Sequence, residues 1–170
     1  MLSAPEPLSD RHRLETFASG EPSLDDWLKR RALPNQLSNS SRTYVVCEDD
    51  AVIAYYCLAT GAIDHAEAPS KLKRNRPNPI PVIVLGRLAI HQDHQDKGLG
   101  TALLRDAILR SLQAADQVGA AAILVHAISE RAKRFYRSRG FLESPVQSMT
   151  LCLMLQTARA ALAGEKGDQS

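Results

Sequence analysis

One apolar run, Val82 to Ile90, limits the folds open to this chain, because a glycine-containing loop and a long amphipathic segment follow it directly. Only Gly86 and Arg87 interrupt the run, and such stretches are typical of strands buried on both faces of a sheet. The segment Thr101–Val118 carries apolar residues at helical spacing, and Gly119 can end a helix there. A strand, a tight loop and a helix in this order predict part of a layered α/β structure.

The remaining patterns predict one mixed sheet. In chain order they are a helix over about 24–32 with Ser23 as its cap, a hairpin of 43–47 with 52–60, a loop over 62–81, the strand and helix above, a strand over 121–127, a helix over 130–139 and a strand over 149–155. This order implies an α/β (α+β) fold in which a central mixed β-sheet is flanked by helices on both faces. The 170 residues suit a single domain, 1–170, with a polar C-terminal tail at about 164–170.

Composition narrows the classes of function. The net charge is only +2, so any affinity for nucleic acid requires a local basic patch. No stretch approaches the roughly 18 apolar residues of a membrane span, and the first ten residues lack the apolar core of a secretion signal. A cytoplasmic protein without membrane contact is therefore expected. The three cysteines and five histidines lack the spacing of metal ligands, which predicts buried reduced thiols and no metal site.

The loop after the apolar run has features of an anion site. Gly98 and Gly100 would let the backbone approach a phosphate closely, and the start of the next helix supplies free N–H groups. The spacing matches neither the Walker loop nor the complete dinucleotide fingerprint. On this feature alone, a phosphate site and a tight turn without a ligand are equal alternatives.

Two motifs resemble those of the GNAT acetyltransferases. One is Leu88–Ile90 followed after four residues by Q-x-x-G-x-G over 95–100, and the other is A-x-x-F-Y-x-x-x-G-F over 132–141. The resemblance implies the GNAT acyltransferase fold and acetyl-coenzyme A as co-substrate, with no metal. The loop amides would hold the pyrophosphate, and the preceding strand would pair with the pantetheine arm. The implied cofactor-binding residues are Leu88, Ala89, Ile90, Gln95, Asp96, Lys97, Gly98, Leu99, Gly100, Thr101, Ser129, Ala132 and Phe135.

At one of these positions the chain departs from the family pattern. Many GNAT enzymes carry an asparagine at the start of the helix that follows the strand over 121–127, and Ser129 stands there in this chain. Serine can still cap that helix. Its contact with coenzyme A is the part of the resemblance that the substitution leaves open.

The similarity extends over roughly residues 10–156 to the GNAT toxins of type II toxin–antitoxin systems, the TacT and AtaT kind. It rests on stretches such as L-D-D-W-L at 24–28, S-R-T-Y-V-V at 41–46, P-I-P-V at 79–82 and G-R-L-A at 86–89. The resemblance implies a toxin that acetylates the α-amine of aminoacyl-tRNA and thereby blocks translation. It also implies an antitoxin with a ribbon-helix-helix part, contact with DNA only through that antitoxin and, because the family often dimerises, a homodimer.

Acetyl transfer needs a neutral amine and a proton for the departing thiolate. The Tyr136 hydroxyl can supply that proton; alternatively Tyr136 only packs beside Ala132 and Phe135, and the resemblance favours the acid role. No carboxylate lies in Gly86–His91, where many GNAT enzymes carry a general base. An α-amine with a pKa of about 7.7–8.0 is partly neutral already, unlike a lysine at about 10.4, so the missing base fits an aminoacyl ester better.

A basic segment points to the same substrate. The stretch from Ala68 to Gln92 contains no acid, and its cations are Lys71, Lys73, Arg74, Arg76 and Arg87. These residues could follow a phosphate backbone, or the segment could be an ordinary solvated loop. Arg30, at the end of the first helix, either extends the patch or complements the helix end.

Two other functions stay open at this point. The first is a GNAT acetyltransferase of a small amine or of a protein N-terminus or lysine, which predicts an acidic substrate cleft. The second is a non-catalytic module that binds coenzyme A or an antitoxin, which needs the two loop glycines but no Tyr136.

Overall fold

The computed structural model describes residues 1–168. Its strands are β1 (Glu6–Pro7), β2 (Arg42–Glu48), β3 (Ala51–Ile63), β4 (Ile80–Ile90), β5 (Ala122–His126), β6 (Leu142–Glu143) and β7 (Thr150–Met154). Its helices are α1 (Pro22–Arg30), α2 (Ala32–Leu37), α3 (Ser70–Lys73), α4 (Leu99–Val118), α5 (Glu130–Ser138) and α6 (Leu155–Asp168). The strands form one sheet in the order β1-β2-β3-β4-β5-β7-β6. Since β4 pairs with β5 in parallel while β2 pairs with β3 and β5 with β7 antiparallel, the sheet is mixed, as predicted.

The chain divides into two compact units, and the first comprises Met1–Ala59 with Leu85–Ala107. It contains the predicted hairpin, whose two turn residues, Asp49 and Asp50, both have positive φ angles, 52° and 65°. Turns of this kind match the right-handed twist of paired strands. The buried cluster of this unit includes Phe17, Leu24, Leu28, Val45, Val52, Tyr55 and Ala89.

A hydrogen bond joins β3 to the first half of α4 within this unit. The fully buried Tyr56 donates its hydroxyl hydrogen to the Asp106 carboxylate, and the Tyr56 ring stacks on Tyr44 at 5.2 Å. Because a buried polar group is costly unless it is paired, this bond favours one placement of the helix on the strand.

The second unit comprises Thr60–Val84 with the chain from Ile108 onward. Here β4 and β5 pair from Val82 with Ala122 to Val84 with Leu124. Its buried cluster includes Ile63, Ala68, Leu72, Ile80, Leu124 and Cys152. The prediction of a single domain over 1–170 stays a prediction.

Several element boundaries differ from those expected. The cap of α1 is Glu21 and not Ser23, because Pro22 occupies the first helical position, where its fixed φ angle suits a helix start. The expected loop over 62–81 contains α3 and ends where β4 begins. The two-residue strands β1 and β6 are too short to leave a periodic pattern in the sequence.

The C-terminal segment forms a helix after the last strand. Helix α6 follows β7 directly, and its residues Leu155 and Ala158 are buried. The helix continues to Asp168 and therefore includes most of the expected polar tail. Residues 169 and 170, the end of that predicted tail, lie outside the described residues.

The cysteines are free and buried, which confirms that prediction. Burial raises the pKa of Cys47 to about 11 and that of Cys152 to about 12, so both thiols stay protonated near neutral pH. Of the helices in residues 1–168, none combines the length and the apolar character needed to cross a bilayer.

Candidate functional site

Gln95 fixes the loop that follows β4. Its Nε2 donates to the carbonyl oxygen of Ser19 at 2.7 Å and to that of Ile90 at 2.8 Å. The backbone N–H of His91 donates to Ile53 O at 2.8 Å. The loop is therefore held to the N-terminal segment, to β3 and to the end of β4, all within the first unit.

The loop turns into α4 at a glycine. Gly98 has a φ angle of 82°, and a Cβ built on it would meet no heavy atom within 4 Å. Helix α4 begins at Leu99, and Ala102 N–H donates to Gly98 O at 3.2 Å. The N–H groups ahead of this bond, including those of Leu99 and Gly100, have no acceptor within the helix. An open, positive-φ glycine before these donors fits the pyrophosphate of acetyl-coenzyme A.

Helix α5 begins at the predicted cap. Ser129 Oγ accepts a hydrogen bond from Ala132 N–H at 3.0 Å, and Ser129 has an extended φ angle of −157°. This geometry confirms the capping role of Ser129, while its contact with coenzyme A stays a prediction.

We expect Ser129→Ala to lower the free energy of unfolding by about 1 kcal/mol, the usual contribution of an N-cap side chain. Chemical denaturation measures this effect, and Ser129→Asn should retain most of the stability because asparagine also caps. If Ser129 contacts coenzyme A, the KM for acetyl-coenzyme A rises in Ser129→Ala. An unchanged KM with the expected loss of stability limits Ser129 to capping.

Tyr136 lies in an aromatic cluster at the end of α5. It is 8% exposed, and its ring centroid lies 5.3 Å from those of Phe135 and Phe141. The Arg139 guanidinium lies 5.6 Å from the Phe135 ring centroid. The neighbouring rings hold the Tyr136 side chain in one orientation, so packing is one of its roles, and its role as general acid stays a prediction.

The basic segment is ordered rather than irregular. Leu72, in α3, is buried, while Lys71, Lys73 and Arg74 are exposed and Arg76 is half-buried. Across residues 1–168, none of these four cations forms a salt bridge, so their charge is available to a ligand.

His65 holds the end of this segment. Its Nε2 lies 3.2 Å from Arg76 O and 2.9 Å from Pro77 O, and its backbone N–H donates to Asn78 Oδ1 at 3.1 Å. The carbonyls of 76 and 77 thus have a common donor, which keeps the basic loop in one conformation.

An aromatic side chain that no sequence pattern indicates lies under Arg87. The Arg87 guanidinium lies 4.5 Å from the centroid of the Trp27 ring, in the first unit. In the sequence, Trp27 stands out only as the single tryptophan and as part of the L-D-D-W-L stretch, neither of which indicates a contact with Arg87. Arg30 ends α1 as an exposed residue, as predicted.

One cluster has the composition of a metal site. Ligand atoms of Glu6, His12 and Cys47 lie within 4.8 Å of one another. However, the backbone N–H of Ser9 donates to His12 Nδ1 at 2.9 Å, so Nδ1 is unprotonated and the ring proton of a neutral His12 is on Nε2. That Nε2 lies 2.9 Å from Glu6 Oε1. The arrangement is thus a chain of hydrogen bonds from Ser9 through His12 to Glu6, in which the ring nitrogen facing Glu6 carries a proton rather than a metal.

The predicted site residues fall into both units. The first unit contains the whole loop set over 88–101, together with Arg30 and Arg87. The second contains the set on α5 and its cap, Ser129, Ala132, Phe135 and Tyr136, and the basic residues over 71–76.

The strand, the glycine loop and the aromatic segment define an acyltransferase of the GNAT fold. The acetyltransferase (GNAT) domain model matches residues 39–143, and the chain belongs to the GNAT acetyltransferase family. Over 160 residues it is 48% identical to the tRNA-acetylating toxin of Mycobacterium tuberculosis, an alignment that covers 94% of this chain and 96% of that protein.

Solved structures of toxins of this family are also similar. AtaT complexed with acetyl-methionyl-tRNAfMet matches with a TM-score of 0.87 and 28% identity over 95% of this chain and 99% of that one. A tyrosine-to-phenylalanine mutant of AtaT, bound to the C-terminus of the antitoxin AtaR and acetyl-CoA, matches with a TM-score of 0.81 and 26% identity over 96% of this chain and 99% of that one. These matches confirm the predicted GNAT fold class.

Proposed function

We propose that this protein is a cytoplasmic toxin that transfers the acetyl group of acetyl-coenzyme A to the α-amine of aminoacyl-tRNA and so blocks translation. The observation that carries the proposal is the open glycine loop before α4, in a chain 48% identical to a tRNA-acetylating toxin. The loop supplies hydrogen-bond donors for a pyrophosphate. The similarity to a tRNA-acetylating toxin indicates that the acetyl group is transferred to a tRNA-linked amine.

The residues of the chain divide the work of the reaction. The N–H groups at the start of α4 bind the pyrophosphate, and residues 88–90 of β4 bind the pantetheine arm and so place the thioester. Acetyl-coenzyme A supplies the acetyl group as that thioester. The amine nitrogen bonds to the carbonyl carbon, the carbon–sulfur bond breaks, and the Tyr136 hydroxyl protonates the departing thiolate. The nitrogen releases one proton to water as the amide forms, and the Tyr136 oxygen takes a proton back from water.

The absence of a carboxylate on the last part of β4 fits this acceptor. Residues 86–91 contain no acid, so this segment offers no strong base to deprotonate the amine. An α-amine is partly neutral at pH 7, whereas a lysine is almost wholly protonated. The chain thus needs an acceptor that is already reactive, and an aminoacyl ester is one.

The same proposal assigns the protein's partners. The four cations over 71–76, with Arg30 and Arg87, contact the tRNA, chiefly its phosphates. A ribbon-helix-helix antitoxin binds the toxin, in line with the AtaT structure that contains part of AtaR. DNA is then contacted only through that antitoxin.

The test is mass spectrometry of total aminoacyl-tRNA after incubation with the protein and acetyl-coenzyme A. We expect N-acetylated aminoacyl groups to appear on the 3′ end of the tRNA. Acetylation of polyamines or protein lysines, with unmodified aminoacyl-tRNA, would refute the proposal in favour of a small-amine or protein acetyltransferase.

Replacing Lys71, Lys73, Arg74 and Arg76 together with alanine is expected to raise the KM for aminoacyl-tRNA strongly. Each lost phosphate contact should also flatten the plot of log affinity against log salt concentration by about 0.7–0.9. A minimal aminoacyl ester has no phosphate backbone, so the quadruple variant should acetylate it as fast as the unmodified protein does. Kinetic series on both substrates at several salt concentrations measure this difference.

Arg159→Ala is the matched control for that variant. Arg159 is an exposed cation of the same unit, but it pairs with Asp116 at 2.8 Å. Its loss should leave the salt dependence unchanged. If the quadruple variant behaves like Arg159→Ala on the tRNA substrate, the basic segment is only solvated.

A further inference from the structure

Arg87 lies on top of an aromatic column. Its guanidinium is 4.5 Å from the Trp27 ring centroid, and the Trp27 ring stacks on Tyr55 with 6.0 Å between centroids and 10° between planes. Tyr55 is fully buried, and its hydroxyl donates to Leu24 O at 2.6 Å, which ties the column to α1. Phe17 meets Tyr55 edge to face at 5.5 Å. The support under Arg87 is therefore rigid.

The central carbon of the Arg87 guanidinium lies over the Trp27 ring, so the ring covers one side of the group. A guanidinium that lies over an aromatic ring still directs its N–H groups outward in its own plane, where they can bind a phosphate in bidentate fashion. In the part of the chain that the structure describes, Arg87 has no salt-bridge partner. Its other polar neighbour is Cys57, whose pKa is raised by burial and held back by hydrogen bonds from Arg87. A neutral thiol is a weak acceptor and leaves the charge of Arg87 largely uncompensated.

Arg87 also stands at a particular place in the chain. It directly precedes Leu88–Ile90, the part of β4 to which the proposed function assigns the pantetheine arm. Successive residues of a strand are only about 3.3 Å apart, so the guanidinium edge of Arg87 lies near the transferred acetyl group. A freely rotating arginine would lose much of its side-chain entropy when it binds a phosphate. Stacking on Trp27 restrains the Arg87 side chain before binding, so less entropy is lost in the complex.

We propose that Trp27 is a positioning residue for Arg87, holding the guanidinium so that its edge binds a phosphate at the acceptor end of the aminoacyl-tRNA. The inference rests on the proposed function for the identity of the ligand. It adds that one phosphate contact is oriented by an aromatic support, whereas the contacts over 71–76 come from an exposed segment.

The first test is a double-mutant cycle on the KM for aminoacyl-tRNA. Trp27→Leu should raise this KM by about 3- to 30-fold, the range for a cation–π contact, while Trp27→Phe should restore part of the loss. In an Arg87→Ala background, Trp27→Leu should have no further effect, because the side chain that it positions is gone. In an Arg31→Ala background, a matched cation next to α1, the full effect of Trp27→Leu should remain.

Two small substrates identify the ligand. An aminoacyl trinucleotide that retains the last phosphates should show the effects of both substitutions, and aminoacyl-adenosine, which has none, should show neither. If acetyl-coenzyme A rather than the acceptor shows the change in KM, Arg87 binds the cofactor and the inference is wrong.

Fluorescence gives a readout that does not depend on turnover. Trp27 is the only tryptophan, so its emission reports the column directly. We expect Arg87→Ala to shift the emission of the free protein, and tRNA to change the emission of the unmodified protein but not that of Arg87→Ala. Arg87→Lys should resemble Arg87→Ala in its KM, because lysine keeps the charge without the planar fork.

The inference is wrong if Trp27→Leu and Arg87→Ala raise the KM for aminoacyl-tRNA independently, so that their effects multiply, and if the Trp27 emission does not respond to Arg87→Ala. Trp27 is then a packing residue. Failure of the proposed function looks different. In that case aminoacyl-tRNA is not acetylated by any variant and does not alter the Trp27 emission of the unmodified protein, whereas the emission still responds to Arg87→Ala.

Discussion

Gly98→Glu is expected to abolish binding of acetyl-coenzyme A. The φ angle of 82° disfavours any side chain at this position, and the new carboxylate would enter the site that we propose for the pyrophosphate, beside the N–H groups at the start of α4. Repulsion between two anions then adds to the altered backbone. Isothermal titration calorimetry with acetyl-coenzyme A measures the loss, and thermal unfolding shows whether the variant is folded.

A matched substitution separates backbone strain from loss of the anion site. Gly119 ends α4 with a φ angle of 83°, and a Cβ there would also meet no atom within 4 Å. Gly119→Glu therefore introduces the same strain and the same charge at the C-terminal end of the same helix. It should lower stability more than Gly98→Glu, because a negative charge is unfavourable at the C-terminus of a helix, but leave the affinity for acetyl-coenzyme A intact. Unchanged affinity in folded Gly98→Glu would remove the pyrophosphate from this loop.

Tyr136→Phe is expected to lower kcat by roughly 10²–10⁴, the usual contribution of a general acid. The substitution removes only the hydroxyl, and the ring contacts with Phe135 and Phe141, both at 5.3 Å, stay in place. Cofactor affinity should therefore change little. Single-turnover acetylation of aminoacyl-tRNA, under conditions where product release does not limit the rate, measures the effect on chemistry.

Phe141→Leu is the control for that experiment. It disturbs the packing around Tyr136 without removing the hydroxyl. It should therefore lower the free energy of unfolding but reduce the rate of acetylation far less than Tyr136→Phe does. If Tyr136→Phe transfers the acetyl group at the unmodified rate, Tyr136 is a packing residue only and the thiolate takes its proton from elsewhere.

The sequence was most informative where the structural cause is local. The apolar run of β4, the glycine at the loop and the serine cap of α5 each depend on a few neighbouring residues, and the structure has all three. Ser23 shows the limit of this reasoning, since a serine before a helical pattern suggested a cap but the adjacent Pro22 starts the helix two residues earlier than expected. The short strands β1 and β6 exist only through their partners and have no periodicity of their own.

By itself, the sequence determined the order of the longer strands and helices, the glycine turn ahead of α4 and the membership of an acetyltransferase family, because periodicity, glycine positions and motif spacing are properties of consecutive residues. Tertiary structure alone decided that Gln95 is bound by Ser19, that His65 supports the basic loop and that Trp27 lies under Arg87. These contacts join residues far apart in the chain, and their geometry depends on how strands and helices pack, which no local pattern records. The orientation of a binding group is therefore the part of this site that required the fold.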